Sequence, residues 1–387
     1  MKLHNALIDE DNVPEPFKTF FNPDMIAEMA DHLARVDGDF DRARFIEHAT
    51  AGMDALELKE RSNQICDALD QFLPADHRRA CDIMVRALHP QDRAGLGNMS
   101  MDDQGIRGWA IMPMADLVAR RGLKDFDYSL DVLAHLTCRF SAEFAVRHFF
   151  VRDWQSALDK AIVWSKSDNF HIRRLASEGS RPRLPWGLQI AQFVNDPNPL
   201  LPLLEGLKSD EEEYVRRSVA NNINDIAKDH PDTVAALAKR WMEGADKNTT
   251  RLVKHACRIL VKKGHAPTLA ALGYGKPQIR VDHFAITTPE VKLGGHLAFE
   301  MEMTSTADEL QPLIIDFAIQ YQRANGELSP KVYKWKIIEL QANESLTISK
   351  KQTVRQITTR VFHAGTHGLE IQINGERLAG GSFELVL

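Results

Sequence analysis

Between Trp164 and Gly187 the chain reads WSKSDNFHIRRLASEGSRPRLPWG. Arg173, Arg174, Arg181 and Arg183 fall within eleven positions, bracketed by Trp164 and Trp186, with Asp168 four residues after the first tryptophan. Guanidinium groups fork onto phosphate oxygens, and aromatic faces attract cations. A carboxylate beside them stabilises positive charge as it develops. These types together describe a surface that meets a polyanion and acts on it. Asp168 has two readings. It stands where an N-cap belongs, before the apolar run Phe170, Ile172, Leu175 and Ala176. A cap, however, needs neither a tryptophan four residues back nor arginines opposite.

The neighbours carry alternatives too. Trp164 reads as a partner of Asp168 or as a core anchor, while Trp186, after Pro185 and before Gly187, reads as exposed. Arg181 and Arg183 lie in a loop stiffened by Pro182 and Pro185, with no helical neighbours to satisfy them, and are expected on phosphates. Glu143 is a possible second carboxylate, set against a cap or a solvated residue.

The elements that would position these side chains form a repeat. The register Ala145-Val-Arg-His-Phe recurs as His171-Ile-Arg-Arg-Leu and Tyr214-Val-Arg-Arg-Ser, with an echo in Leu252-Val-Lys-His-Ala. Amphipathic helices are expected before them at 154–164, 186–194 and 233–241. Paired helices at a period near forty predict a HEAT-type solenoid whose second helices line the concave face. Arg173, Arg174, Arg217 and Lys254 would form a basic stripe along it. For Arg216 and Arg217, ion pairs to a neighbouring repeat carry equal weight.

Upstream, residues 1–120 read as helical. Pro14 and Pro16 precede one piece, Asn22-Pro23 caps another, and a Gly-, Asp- and Met-rich loop spans Gly95–Gly108. After Lys276-Pro277 the period becomes two. Strands are expected over 281–286, 297–303, 313–320, 332–338, 354–361 and 369–373, with hairpin signals at Asn325-Gly326 and Asn374-Gly375. The fold class is therefore mainly α, a helical-repeat solenoid followed by an all-β immunoglobulin-like sandwich with Trp335 as its buried aromatic. Domains are expected at 1–120, 121–275 and 278–387.

The 387 residues carry a formal net charge of −6. Residues 1–70 hold 16 acidic and 7 basic side chains, so the acidity is local and the remainder is slightly basic. Such a balance does not exclude a nucleic-acid partner. The four cysteines lack metal spacing and read as reduced core residues. No apolar run suits a membrane span, so a cytoplasmic, nucleoid-associated monomer is expected. Walker, dinucleotide and HExxH motifs are absent, and His363-Ala-Gly-Thr-His367 falls in a strand-turn region, which disfavours a metal- or nucleotide-dependent enzyme.

The stretches FSAEFAVRHF (140–149), Trp164-Ser-Lys-Ser-Asp168 and RRLASEGSRPRLPWG (173–187) resemble the AlkC family of bacterial DNA alkylation repair glycosylases, relatives of AlkD. The Trp-x-x-x-Asp spacing is similar to the catalytic pair of AlkD. A C-terminal immunoglobulin-like domain occurs in one AlkC subgroup, so the resemblance spans nearly the whole chain. It implies excision of cationic N-alkylated bases, notably 3-methylcytosine and 3-methyladenine, from double-stranded DNA, with no cofactor and no metal. Asp168 and Trp164 would be catalytic. Arg173, Arg174, Arg181, Arg183, Trp186, Arg217 and Lys254 would contact DNA, without a deep pocket for the base. The sandwich would close on the duplex from the other side. The alternative is a non-enzymatic HEAT scaffold binding DNA or protein through the same face.

Overall fold

The computed structural model describes residues 17–95, 100–357 and 360–387. Pro14, Pro16 and part of the 95–108 loop lie outside them. The chain divides into two compact units, one ending at Asn222 and the other starting at Ile223.

The first unit is helical, and local chemistry starts its helices. Asn22 accepts from the Met25 amide at 2.9 Å ahead of Pro23–Val36, with Pro23 in the first turn, where its missing N–H costs nothing. Asp41, Asp76 and Asp153 cap Arg42–Thr50, His77–Arg86 and Trp154–Trp164 in the same way. Glu57 and Glu60 form a capping box on Leu58–Phe72. Much of the early acidity thus serves helix ends and ion pairs, such as Asp31 with Arg42 and Asp70 with Arg121.

The repeated register marks helices each time, in Val146–Arg152, Phe170–Gly179, Glu213–Ile226 and Lys247–Ala256. The helix expected over 186–194 does not form there. The loop that follows Pro185 occupies its first half, and the helix begins only at Ala191 (Ala191–Asn195), followed by Leu201–Leu207. The boundary expected at 120/121 lies within the helix Ile111–Gly122, and the division into compact units, after Asn222, lies within Glu213–Ile226. Among the described residues, no helix is long and apolar enough to cross a membrane.

Among its described residues the second unit carries helices Pro231–Met242, Lys247–Ala256, Arg258–Lys262 and Ala266–Ala271, then eight strands. These are β1 (Ile279–Ile286), β2 (Glu290–Lys292), β3 (His296–Ser305), β4 (Gln311–Gln322), β5 (Leu328–Leu340), β6 (Ser345–Thr353), β7 (Gly365–Ile373) and β8 (Glu376–Val386). One sheet runs β1-β3-β6 and the other β2-β8-β7-β4-β5, with β2 parallel to β8. Alternation sends Leu297, Phe299, Met301 and Met303 of β3 inward, where they join Phe317, Ile319, Leu369, Ile371 and Phe383 in the core. Two expectations need correction. Trp335 is only partly buried, edge-on to Phe299 at 5.1 Å. The strand expected over 354–361 is a loop in its described part, because pairing of β6 with β3 ends at Thr353.

The Asn374-Gly375 turn between β7 and β8 has both φ angles positive, 46° and 81°, as a tight hairpin requires. Gly375 meets Gly264 backbone to backbone, and a Cβ on Gly375 would stand 2.5 Å from the Gly264 Cα. Asn374 also donates to the Gly275 carbonyl at 2.9 Å. Gly375→Ala is expected to cost about 1–3 kcal/mol, from overpacking and a left-handed backbone. Urea unfolding checks this, and an unchanged midpoint would mean that the hairpin and the helix end separate freely.

Candidate active site

The structure disperses most of the sequence-expected site. The helix Trp154–Trp164 ends at Trp164, so the helical turn that would align Trp164 with Asp168 does not exist. Trp164 is buried and lines a separate cleft of about 570 Å³ with Asp131, His135 and Ile172. Asp168 is exposed, and Asn169 caps the next helix instead, accepting from the His171 amide at 2.9 Å. Among the described residues, no hydrogen bond or ion pair reaches the Asp168 carboxylate. The lone carboxylate between two tryptophans is therefore not what the fold builds.

The arginines are answered by acids. Arg173 forks onto Asp210 at 2.7 and 3.0 Å, thirty-seven positions away. Arg181 is buried on Glu178 at 2.6 Å, which removes it as a free phosphate ligand. Arg183 is half-buried, and Arg217 pairs with Glu213 one turn earlier at 3.1 Å. Lys254 is exposed in the second unit, beside Lys262 and Lys334 in a small cleft.

What the first unit brings together is Arg174, Arg181 and Trp186 with Glu143, Glu178 and Tyr214. They line a cleft of about 360 Å³ whose other walls include Trp109, Phe140, Phe144 and Lys59. Arg174 and Glu178 sit four apart on Phe170–Gly179, one above the other on one face. The Arg174 guanidinium pairs with Glu143 Oε2, donates to Ser141 Oγ at 2.9 Å, and lies 3.6 Å from Glu178 Oε1. Its carbon stands 5.1 Å from the centre of the Tyr214 ring. Burial opposes the Arg174 charge, yet the attraction of Glu143, with Tyr214 and Glu178 behind it, raises its pKa above the usual arginine value.

Burial likewise pushes the Glu178 carboxyl upward, but Arg174 and Arg181 pull harder. With the Ser218 hydroxyl donating to Oε2 at 2.6 Å, its pKa ends below the usual carboxylate range. Glu178 is thus a fixed anion, fully occupied. Glu143 is more open, its side chain 16% exposed. Its Oε2 takes Arg174 and Ser141 (2.8 Å), and among the described residues no hydrogen bond reaches Oε1. A carboxylate in the wall of an aromatic cleft, with one oxygen that no hydrogen bond reaches, can stabilise a cation or orient a water.

A loop completes the wall. Arg147, fully buried, donates to the carbonyls of Leu188, Gly179 (3.0 Å) and Pro182 (3.4 Å), tying together both ends of segment 179–188. At its tip Trp186 is 68% exposed. Also in the wall, Trp109 stacks on Phe20 with ring centres 5.1 Å apart and packs on Phe140 at 5.0 Å. Sequence reasoning missed Glu178, Tyr214, Trp109, Phe140 and Lys59. For Glu178 a signal existed, its four-residue spacing from Arg174.

Comparison with known proteins agrees with this architecture. Residues 135–260 match the family described as "DNA alkylation repair enzyme". Residues 280–387 match "Uncharacterised protein YhaZ, C-terminal Ig-like domain". The uncharacterized protein YhaZ of Bacillus subtilis is 34% identical over 361 residues, covering 93% of this chain and 96% of YhaZ. The Pseudomonas fluorescens alkylpurine DNA glycosylase AlkC, solved bound to DNA containing an abasic site analog, is similar at a TM-score of 0.86 and 35% identity. That match spans 96% of this chain and all of the other. The chain belongs to the AlkC/YhaZ family of DNA alkylation repair proteins, in the form with an AlkC-like helical-repeat fold and a C-terminal immunoglobulin-like domain.

Proposed function

We propose that this protein is a DNA glycosylase that removes cationic N-alkylated bases, 3-methylcytosine and 3-methyladenine among them, from double-stranded DNA. The observation that carries the reading is Glu143, a carboxylate in the wall of an aromatic cleft, paired with Arg174 through one oxygen only. An alkylated base already bears positive charge, so its glycosidic bond breaks toward an oxocarbenium-like sugar. Glu143 Oε1 stabilises that sugar and orients the water that attacks it, as a carboxylate does in glycoside hydrolysis. Bond cleavage moves the electron pair to the departing base, and water supplies hydroxide to the sugar carbon and a proton to solvent. Glu178 keeps Arg174 in place and takes no proton.

Trp186 and Trp109 offer faces to the cationic base, each worth about 0.5–1 kcal/mol at an exposed face and about 2 kcal/mol once water is excluded. The lesion is engaged at the mouth of the cleft, exposed by bending of the duplex and not by burial in a deep pocket. The protein acts as a monofunctional enzyme, leaving an abasic site. Incubating enzyme in excess with a duplex carrying one 3-methylcytosine is expected to release free base and leave a heat-labile abasic strand. No release under those conditions would leave only a DNA- or protein-binding scaffold.

A further inference from the structure

Among the described residues, three that are not glycine have a left-handed backbone: Asn343, Asn374 and Trp186, the last with φ 64°. Asparagine tolerates that conformation through its short polar side chain, whereas a tryptophan there is strained. The indole is mostly in solvent, so its own burial does not offset the strain. Strain of this kind persists where the surroundings over-determine the backbone, and it gathers at sites of function.

Two cations impose it. From beneath, Arg147 holds both ends of the loop and packs so closely on Gly187 that a Cβ there would stand 3.1 Å from the Arg147 Cδ. Backbone bonds from Gly187 to Leu184 and from Ile190 to Pro182, both 3.1 Å, close the segment on itself. From the side, the Lys59 ammonium, on the helix Leu58–Phe72, donates to the Trp186 carbonyl and stands 5.9 Å from the centre of the Phe144 ring. Lys59, Phe144 and Trp186 all line the same cleft.

We infer that Trp186 is a stacking plate for the alkylated base, held ready in a strained backbone, and that Lys59 is the positioning residue that keeps it over the cleft. This rests on the glycosylase reading above. A plate fixed in advance loses no conformational freedom when the base arrives, so its attraction goes in full to seating the cationic base with its glycosidic bond beside the carboxylate. Lys59 acts through the Trp186 carbonyl and touches neither base nor phosphate.

The test uses the full chain and the 3-methylcytosine duplex in single turnover, with affinity for undamaged DNA measured against salt. Lys59→Met is expected to slow excision about tenfold with an unchanged salt slope, and Lys59→Arg, which can still donate to the carbonyl, to stay within about threefold. Trp186→Gly should slow excision at least as much as Lys59→Met, yet melt about 2–4 °C above Trp186→Ala, because only glycine relieves the backbone. Equal losses in Lys59→Met and Lys59→Arg overturn the positioning role. So does a salt slope shallower by about one unit in Lys59→Met, which would make Lys59 a phosphate contact. Equal melting of the two Trp186 variants overturns the strain. If the wild-type protein releases no base, the glycosylase reading fails, and the strained tip is still decided by the two melting curves.

Discussion

Glu143→Gln should lower single-turnover excision by on the order of a hundredfold or more, while Asp168→Asn stays within about threefold of the wild type. The glutamine keeps the shape of the side chain and an oxygen for Ser141, so what is lost is the charge beside the developing cation. Removing one preorganised electrostatic contact of this kind costs about 3 kcal/mol of transition-state stabilisation. Arg174 retains Glu178 as a counter-charge at 3.6 Å, so the fold should lose only about 1–2 kcal/mol. Affinity for undamaged duplex should hardly change. Quenched-flow or manual time courses at enzyme excess, with melting curves alongside, separate these effects. A Glu143→Gln enzyme that excises at the wild-type rate would remove this residue from the chemistry, and a hundredfold loss in Asp168→Asn would restore the exposed carboxylate to it.

Arg147→Ala should be the most damaging substitution for the fold of the first unit. The side chain is fully buried and bonds carbonyls at 179, 182 and 188. Truncation leaves the buried Gly179 carbonyl without a donor, cuts the tie to Leu188 and opens a cavity beneath the loop, together about 3–5 kcal/mol. For a unit of this size that is a fall in melting temperature of roughly 10 °C. Arg147→Lys should recover little, since one ammonium cannot reach carbonyls that a planar fork spans. A melting temperature within 2 °C of the wild type would show that the loop holds itself together by other means.

Local signals were the legible ones. Asn22-Pro23 and Asn374-Gly375 each act within four residues, and both do what their chemistry dictates. The Val-Arg-Arg register was legible too, because helix period and repeat length lie in the order of residues. What those arginines touch was not. The partner of Arg173 is Asp210, and the cleft draws Trp109 from far upstream, so only packing brings them together. Trp164 and Asp168 do not meet as their spacing suggests, because a spacing of four aligns side chains only inside a helix, and this helix stops at Trp164. The same limit explains residues 354–361, where strand-like alternation runs on after the pairing partner has ended.

The pairing of Arg173, Arg174, Arg181 and Arg217 with acids of the same chain bears on how a protein of this kind would search a genome. Non-specific grip on DNA comes from cations that displace the condensed counterions of the phosphates, and an arginine already neutralised from within adds little to it. The surface is therefore less adhesive than its arginine count suggests. Weak holding shortens each stay on intact duplex and favours frequent hopping between sites. On the glycosylase reading, time on the strand would then be set by the lesion, whose positive charge undamaged DNA does not offer to an anionic carboxylate among aromatic rings.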